Sequence, residues 1–593
     1  MKKRMGLFVF FDKDNIVDDY VLYLLDSLKE HLDGMVIISN SNLPEEQKKK
    51  LDKYCFKFIQ RENYGLDAGA LCEYFRNNND YEEYDEIVYF NDTYYAPLYP
   101  FSRVFDEMDK KKCDFWGLAV GEPEVDGFHL HDTPYYPRHL QSFFMVFKKN
   151  VYMSDAFQNY WRDYDYEHMN SFWDVVNKHE LTFTKYLTDH GFTYDYYLKT
   201  DLISDDYHRN FNHFAYFASD QVIHDKSIFI KRKNFAFPVD DLLYLNCNND
   251  LKRAYYYVRD ETDYDVKLIW KNVLRLYNIY DVAQALGVNE IIIPKENKKH
   301  KSVNYFIVVD NEYLIDKVLD RVKILTGNFN FYTNSDVIFE KIKKLKYTVK
   351  KYNNDLARIV MKDMNNSEGE YISFIDIKDI KKRPLAIDYT SGEVYLDNLV
   401  LNSDYVDEII SKISDENISM AYGPNTYIQD EFRGDNIWDY QDYLNVEKII
   451  PDYKLLDIAK NPVSQKEAWI AKKGLLKYLN KEINNVDDEH FAKALTISMA
   501  YCGALDCKYP IIVSNMEYSS YLISLQNTII NKSLSAIYRN NETYGPTFAQ
   551  ILKNLDGQKA ERGLKRTIIR GVRRRLSVVK HFLLRLIGKE KNK

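Results

Sequence analysis

The chain has 593 residues, of which 45% are hydrophobic and 29% are charged, and its formal net charge is −8. This composition is typical of a globular protein of several domains and excludes disordered and fibrous chains. The six cysteines form no Cys-x-x-Cys pair, which argues against a disulfide framework or a structural zinc site, and no stretch approaches the ~18 apolar residues of a membrane span.

The first 240 residues alternate strand and helix patterns. Apolar runs predict strands at residues 7–11, 34–41, 55–60 and 85–92. Residues 17–32 have the periodicity of an amphipathic helix. Strands that alternate with helices predict βαβ units around a mostly parallel sheet, which is an α/β fold.

The second half of the chain echoes the first in the same order. Residues 305–335 repeat the strand, Asp, helix, strand, Asn-Ser pattern of residues 7–41. We therefore predict a catalytic donor-binding unit at 1–240, a helical connector at 241–300 and a second, degenerate α/β unit at 301–545. The alternative is that any two βαβ segments look alike.

The segment NYGLDAGA (63–70) lies between a predicted strand and a helix. Its two glycines would let the backbone approach a ligand, and the following helix N-terminus could stabilise a diphosphate. Asp67 could accept hydrogen bonds from a ribose or a sugar, although an ordinary strand-to-helix turn also often uses Gly. The matching segment NNDLARIV (353–360) has no glycine, which predicts that only the first unit keeps a donor site.

Asn91 and Asp92 end the fourth predicted strand. In open α/β sheets, ligands bind at the carboxyl ends of the strands. Many sugar transferases place two carboxylates here to hold Mg or Mn across the donor diphosphate, and oxygen ligands suit these metals. This chain has one carboxylate fewer, so the pattern permits a divalent metal at Asp92 but is also that of a simple strand-ending turn.

Two further segments carry polar groups that suit an acceptor. RHLQSFF (138–144) leads into an apolar strand and could present acceptor-binding groups at the edge of the sheet. HELTFT (179–184) begins a helix, and its Glu180 is a candidate general base for sugar transfer. The structural alternatives are a buried histidine and a glutamate that favours the helix dipole.

The ordered set of FDKDNIVDDYVLYLLDSLK, NYGLDAGA, FNDTYYAP, HLQSFFMVFKK and HELTFTKYLTDHGF resembles the rhamnan synthesis protein F family. The resemblance implies a glycosyltransferase A-type fold and a role in rhamnose-containing cell-wall or capsular polysaccharide synthesis. It implies dTDP-L-rhamnose as the nucleotide-sugar donor, a lipid-linked glycan as the acceptor, and transfer with inversion.

The resemblance also assigns roles to individual residues. The donor site would be lined by Asp12, Asn63, Gly65, Asp67, Asn91 and Asp92. The acceptor would face His139, Gln141 and Ser142, with Glu180 as the base.

Two other functions remain open at this point. The chain could transfer another sugar in surface polysaccharide synthesis, or it could be a non-catalytic glycan-binding scaffold for assembly. Nucleic-acid binding is not expected, because the chain is acidic outside its C-terminal tail and has no nucleic-acid motif.

The C-terminal tail differs in charge from the rest of the chain. Residues 557–593 contain thirteen Lys/Arg and two Glu, with apolar residues at spacings of three and four. This pattern predicts a basic amphipathic helix within 546–593 that binds an anionic membrane surface, or alternatively packs on the acidic body. We therefore expect a cytoplasmic protein that is peripheral on the inner face of the plasma membrane.

Overall fold

The structure is a computed structural model that describes most of residues 2–524. Outside the described residues lie 1, 122–123, 126–134, 170, 200–219, 225, 237–249, 278–281, 283–284, 298, 378–390, 425–439, 451–466, 482, 484, 522 and 525–593. The predicted basic helix at 546–593 therefore lies outside them.

The first sheet has seven strands. They are β1 (Arg4–Phe10), β2 (Gly34–Ser39), β3 (Lys57–Gln60), β4 (Glu86–Asn91), β5 (Phe115–Gly117), β6 (Phe144–Lys148) and β7 (Tyr194–Tyr196). Their order is β3-β2-β1-β4-β6-β5-β7, and β6 runs antiparallel to both of its neighbours. The central strands β1 and β4 are buried along their whole length, as expected for parallel strands covered on both faces.

Helices connect and cover these strands. They are α1 (Asp19–Leu28), α2 (Glu45–Leu51), α3 (Leu66–Asn77), α4 (Ser102–Met108), α5 (Lys149–Tyr152), α6 (Asp155–Asp163), α7 (Phe172–Val175) and α8 (Leu181–Asp189). Helix α1 lies within the predicted helix at 17–32, and its apolar stripe of Val21, Leu24, Leu25 and Leu28 is buried. Short two-residue ladders pair Tyr94–Tyr95 with Ile230–Lys231 and Val120–Gly121 with His139–Leu140.

The second sheet has eight strands. They are β8 (Asn289–Ile292), β9 (Val303–Val309), β10 (Gly327–Thr333), β11 (Thr348–Lys351), β12 (Tyr371–Ile377), β13 (Ile418–Tyr422), β14 (Ala468–Lys472) and β15 (Tyr509–Asn515). Their order is β11-β10-β9-β12-β14-β13-β15-β8, and β14 is antiparallel to both of its neighbours. The second sheet thus repeats the strand order of the first and adds β8 at its edge.

The remaining helices belong to the connector and the second unit. They are α9 (Asp250–Glu261), α10 (Lys267–Leu276), α11 (Ile315–Val322), α12 (Asp336–Lys344), α13 (Leu356–Asn366), α14 (Ser391–Asn398), α15 (Ser403–Ile413), α16 (Tyr440–Ile449) and α17 (Phe491–Leu505). Helix α10 contacts both units: Asn272 donates to the Asp18 carboxylate at 2.6 Å, and the Trp270 ring stacks on Tyr509 with centroids 4.7 Å apart. The connector helices therefore pack between the two sheets.

Candidate functional site

The predicted site residues lie around the carboxyl ends of the central strands of the first sheet. Asp12 follows β1, Asn91 ends β4, and Asp67 lies in the first turn of α3. This edge is where open α/β sheets bind ligands. The structure divides the residues into a cluster around Glu180 and two buried ion pairs.

The carboxylate of Asp67 is held by β4. Its Oδ2 accepts hydrogen bonds from the Tyr89 hydroxyl at 2.7 Å and from Asn91 Nδ2 at 3.2 Å. Burial raises the pKa of Asp67, and the nearby negative charge of Glu180 raises it further. The hydrogen bonds lower this pKa but do not cancel the rise. The structure thus brings Asp67, Asn91 and Glu180 into one electrostatic cluster.

Glu180 lies at the end of a π-helical turn, Val176–Glu180, that leads into α8. Ser142 donates to Glu180 Oε2 through its hydroxyl at 2.6 Å and its backbone N–H at 3.1 Å. Burial opposes ionisation, but the charge of His139, these hydrogen bonds and the charge of Lys231 outweigh it, so the pKa of Glu180 lies below its usual value. Glu180 is therefore ionised at neutral pH and able to accept a proton.

The predicted acceptor residues lie on the segment that leads into β6. His139 is buried and its Nδ1 lies 3.0 Å from the Pro137 carbonyl oxygen, while Gln141 is buried and its backbone N–H donates to Ala119 at 3.0 Å. Because the Ser142 hydroxyl is hydrogen-bonded to Glu180, it orients the Glu180 carboxylate. His179, the neighbour of Glu180, is instead a core residue, since burial lowers its pKa to about 4.

Lys231 joins this cluster and was not predicted from the sequence. The Ile230–Lys231 strand pairs with Tyr94–Tyr95, which places the Lys231 ammonium 3.2 Å from the centroid of the Phe143 ring. Burial, together with the charge of Lys233, holds the pKa of Lys231 well below its usual value, although Glu180 and Asp67 both favour its charged form. The half-buried Lys231 side chain thus lies within electrostatic range of Glu180 and Asp67.

Asp92 forms a buried ion pair with Arg232. Arg232 Nη1 lies 2.7 Å from Asp92 Oδ2 and also donates to the Asp92 carbonyl oxygen at 3.0 Å. The Tyr20 hydroxyl donates to the same carboxylate at 3.0 Å. Burial raises the pKa of Asp92, and Arg232 and Tyr20 counteract that effect.

Asp12 forms the second buried pair, with Arg275 of α10. The same guanidinium also contacts the carboxylates of Asp14 and Asp18, at 2.8 and 2.6 Å. Asp12 Oδ1 accepts the backbone N–H groups of Asp14 and Ile16, both at 3.0 Å. Asp12 therefore shapes the loop after β1 and joins it to the connector.

The glycine-containing turn is packed against the protein itself. Gly65 has φ +63°, and a Cβ there would lie 2.7 Å from the Tyr166 Cβ. A Cβ on Gly69 would lie 2.1 Å from the Tyr64 carbonyl oxygen. Gly65 is thus required by the close approach of Tyr166, and Gly69 by the folding of the turn onto α3. Asn63 accepts a hydrogen bond from the Asn40 side chain at 2.9 Å.

At the end of β4, two of the oxygen atoms that could bind the divalent metal permitted at Asp92 already accept hydrogen bonds. Asp92 Oδ2 contacts Arg232 and Tyr20, and Asn91 Oδ1 accepts from the Thr93 N–H at 3.1 Å and hydroxyl at 2.8 Å. Among the described residues, one group of three side chains could hold a metal ion together. It consists of His300, Asp404 and Asp407 and lies in the second half of the chain. The carboxylate of Asp407 is hydrogen-bonded to His300 Nδ1 and to the Lys301 N–H, both at 2.9 Å.

The strand order, with one antiparallel strand among parallel ones, is that of an α/β fold of the glycosyltransferase A type. The chain belongs to the rhamnan synthesis protein F family, whose model matches residues 35–420. Members of this family are glycosyltransferases of polysaccharide synthesis. The family resemblance and the fold class predicted from the sequence are confirmed.

Individual similar proteins are more distant. The uncharacterized protein y4gN of Sinorhizobium fredii is 24% identical over 192 residues, which are 32% of this chain and 46% of that protein. The match thus spans about half the length of that relative.

Among solved structures, GlyE of Streptococcus pneumoniae is 9% identical, with 64% of this chain and 88% of that chain covered and a TM-score of 0.21. Core-mannan synthase A of Aspergillus fumigatus, in an Mn/GDP form, is 9% identical, with 27% and 63% covered and a TM-score of 0.19. Because these scores are low, the assignment of the fold rests on the strand order.

No helix within the described residues combines the length and the apolar character that crossing a membrane requires.

Proposed function

We propose that the chain transfers a sugar, with dTDP-L-rhamnose as the favoured donor, to a lipid-linked cell-wall or capsular polysaccharide with inversion. The observation that supports this most directly is the ionised Glu180 beside Asp67 and Lys231 at the carboxyl edge of the first sheet. A base, a polar donor contact and a cation are the groups that transfer from a nucleoside diphosphate requires.

The chemistry is a single displacement. An acceptor hydroxyl attacks the anomeric carbon of the donor sugar while Glu180 takes the hydroxyl proton. The bond between the anomeric carbon and the diphosphate oxygen breaks, and the nucleoside diphosphate leaves with the electron pair. Attack opposite the leaving group inverts the anomeric centre, and holding both reactants in line supplies much of the rate enhancement.

The two carboxylates take different parts in this scheme. Asp67, with its raised pKa, would accept hydrogen bonds from the ribose or the donor sugar. Glu180, with its lowered pKa, is the base, and Ser142 orients it. Neighbouring carboxyl groups whose pKa values are shifted apart can take different roles in one site. His139 and Gln141 remain proposed contacts of the acceptor.

The second unit is proposed to lack a donor site and to hold acceptor glycan or to support the first unit. At the start of α13, which takes the place of α3, the Leu356 N–H donates to the Asp488 carboxylate at 2.9 Å. A carboxylate of the protein thus accepts a hydrogen bond from the helix N-terminus that, in a donor site, would face the diphosphate. Asp376 lies in β12, the counterpart of β4, and is buried, whereas Asp379 lies outside the described residues.

Membrane attachment is proposed from the sequence of the tail. A lipid-linked acceptor is confined to the membrane, so the enzyme would act at its inner face, with the basic helix on anionic headgroups.

A donor screen tests the proposed activity. The purified full-length chain is incubated with a panel of nucleotide sugars and with membranes that carry the lipid-linked glycan, and release of nucleoside diphosphate is measured. We expect release with dTDP-L-rhamnose. Release with a different nucleotide sugar would change the sugar assigned, and neither binding nor turnover of any donor would favour the scaffold function.

A further inference from the structure

Residues 231 and 232 bring two cationic side chains to the end of β4. The Ile230–Lys231 strand runs antiparallel to Tyr94–Tyr95. Only Thr93 separates Tyr94 from Asp92 in the chain. The Arg232 N–H also donates to the Thr93 carbonyl oxygen at 3.1 Å. Backbone pairing, rather than flexible side chains alone, therefore fixes both cations beside the candidate donor site.

Arg232 already contacts Oδ2, one of the two oxygens that the Asp92 carboxylate could offer to a metal. Its Nη1 lies 2.7 Å from Asp92 Oδ2, and its side chain is 15% exposed against 7% for that of Asp92. A divalent ion at Oδ2 would have to displace a guanidinium whose charge already compensates the carboxylate, which is costly for a buried pair.

Both cations retain capacity for an anionic ligand. Arg232 Nε is buried and has no hydrogen-bond partner among the described residues. The Lys231 ammonium lies over the face of Phe143, a contact that leaves the N–H donors on the side away from the ring available to an anion. A buried donor without a partner is costly, and a phosphate oxygen would satisfy it by a charge-assisted hydrogen bond.

We propose that Lys231 and Arg232, rather than a divalent metal, neutralise the diphosphate of the donor, and that Asp92 and Tyr20 position Arg232. The inference rests on the proposed function, because it takes the ligand to be a nucleoside diphosphate. It makes Lys231 a binding residue for the leaving group and Asp92 a positioning residue.

Calorimetric binding of dTDP, with UDP and GDP for comparison, tests this assignment in EDTA and again with Mg²⁺ or Mn²⁺. The wild-type chain is expected to bind dTDP equally well under both conditions. Lys231→Met should weaken binding by about tenfold or more, as expected for the loss of one charge-assisted hydrogen bond. Lys231→Arg should retain binding and thus show that charge, not folding, is responsible, and Lys185→Met, on the exposed side of α8, should bind as wild type.

Binding that EDTA abolishes and Mn²⁺ restores, with Lys231→Met unaffected, would overturn the cation assignment and leave the proposed function intact. If no nucleoside diphosphate bound under either condition, both the assignment and the proposed function would be wrong.

Discussion

Asp67 and Glu180 differ in pKa because of what surrounds them. Asp67 is half-buried, and both its desolvation and the negative charge of Glu180 raise its pKa. Glu180 instead receives two hydrogen bonds from Ser142 and lies near Lys231 and His139, which lower its pKa. The sequence identified both carboxylates, but their opposite shifts depend on neighbours that are distant in the chain. Only the folded structure therefore reveals that the pKa values of the two carboxyl groups are shifted apart.

Ser142→Ala is predicted to move the acid limb of the pH profile of kcat/KM to higher pH. The hydroxyl of Ser142 helps to lower the pKa of Glu180, so its removal raises that pKa, and the base becomes protonated at a higher pH. We expect a shift of about one pH unit. Ser27→Ala, on α1, is the control and should leave the profile unchanged. An unchanged acid limb in Ser142→Ala would separate Glu180 from the rate-limiting proton transfer.

Asp92→Ala is predicted to destabilise the protein as well as to impair transfer. The substitution leaves the Arg232 guanidinium buried without its carboxylate, which typically costs about 3–5 kcal/mol. Asp189→Ala removes one partner of the exposed pair with Lys185 and should cost less than about 1 kcal/mol. Denaturant unfolding of both variants measures the difference, and equal stabilities would show that the Asp92 pair contributes little.

Lys231 and Arg232 were the main residues that the sequence did not reveal. They lie about 140 residues beyond Asn91 in the chain, in a short basic run without a recognised motif. Their approach to β4 depends on a two-residue ladder with Tyr94–Tyr95, a long-range pairing that local patterns do not encode.

At the scale of elements, the sequence predicted the central strands of the first sheet within a few residues. These strands are continuous apolar runs because they are buried on both faces, and such runs are recognisable without long-range information. Strand β7 is short and partly exposed, and it has no comparable signal. The strand order also depends on pairings between distant segments, so the sequence alone gave only the class of the fold.

The turn before α3 gives a prediction at the scale of elements. The sequence suggested that its glycines admit a ligand, whereas the structure shows that they admit the protein's own backbone. Gly69→Ala is predicted to force the Tyr64 carbonyl away, at a cost of about 1–3 kcal/mol, and to weaken donor binding through displacement of Asp67.

Gly474→Ala is the matched control for this substitution. A Cβ on Gly474 meets nothing within 4 Å, so its effect should be within about 0.5 kcal/mol. Thermal unfolding and nucleotide binding measure both variants. Normal binding by a destabilised Gly69→Ala would mean that the turn has a purely structural role.

At the scale of the whole molecule, the connector joins the loop after β1 to the second sheet. Arg275 pairs with Asp12 on one side, and Trp270 stacks on Tyr509 on the other. The domain boundaries predicted at 240 and 300 remain a proposal, and helices α9 and α10 within that interval pack on both units.

The tail gives a second prediction at this scale. The full-length chain is expected to sediment with anionic liposomes and to be released by high salt, because basic residues near an anionic surface each contribute about 1 kcal/mol and salt screens them. A chain truncated to residues 1–556 should stay in the supernatant. Equal sedimentation of both chains would place the membrane contact elsewhere.

The central claim is that Glu180 is the base of an inverting sugar transfer, and Glu180→Gln tests it most directly. The measurement is the steady-state rate of transfer to the lipid-linked acceptor, with Glu167→Gln, an exposed position, as the control. We predict that Glu180→Gln lowers kcat by about 10²–10⁴-fold with nucleotide binding retained, and that Glu167→Gln transfers as wild type. A Glu180→Gln variant that transfers sugar at the wild-type rate would contradict the account.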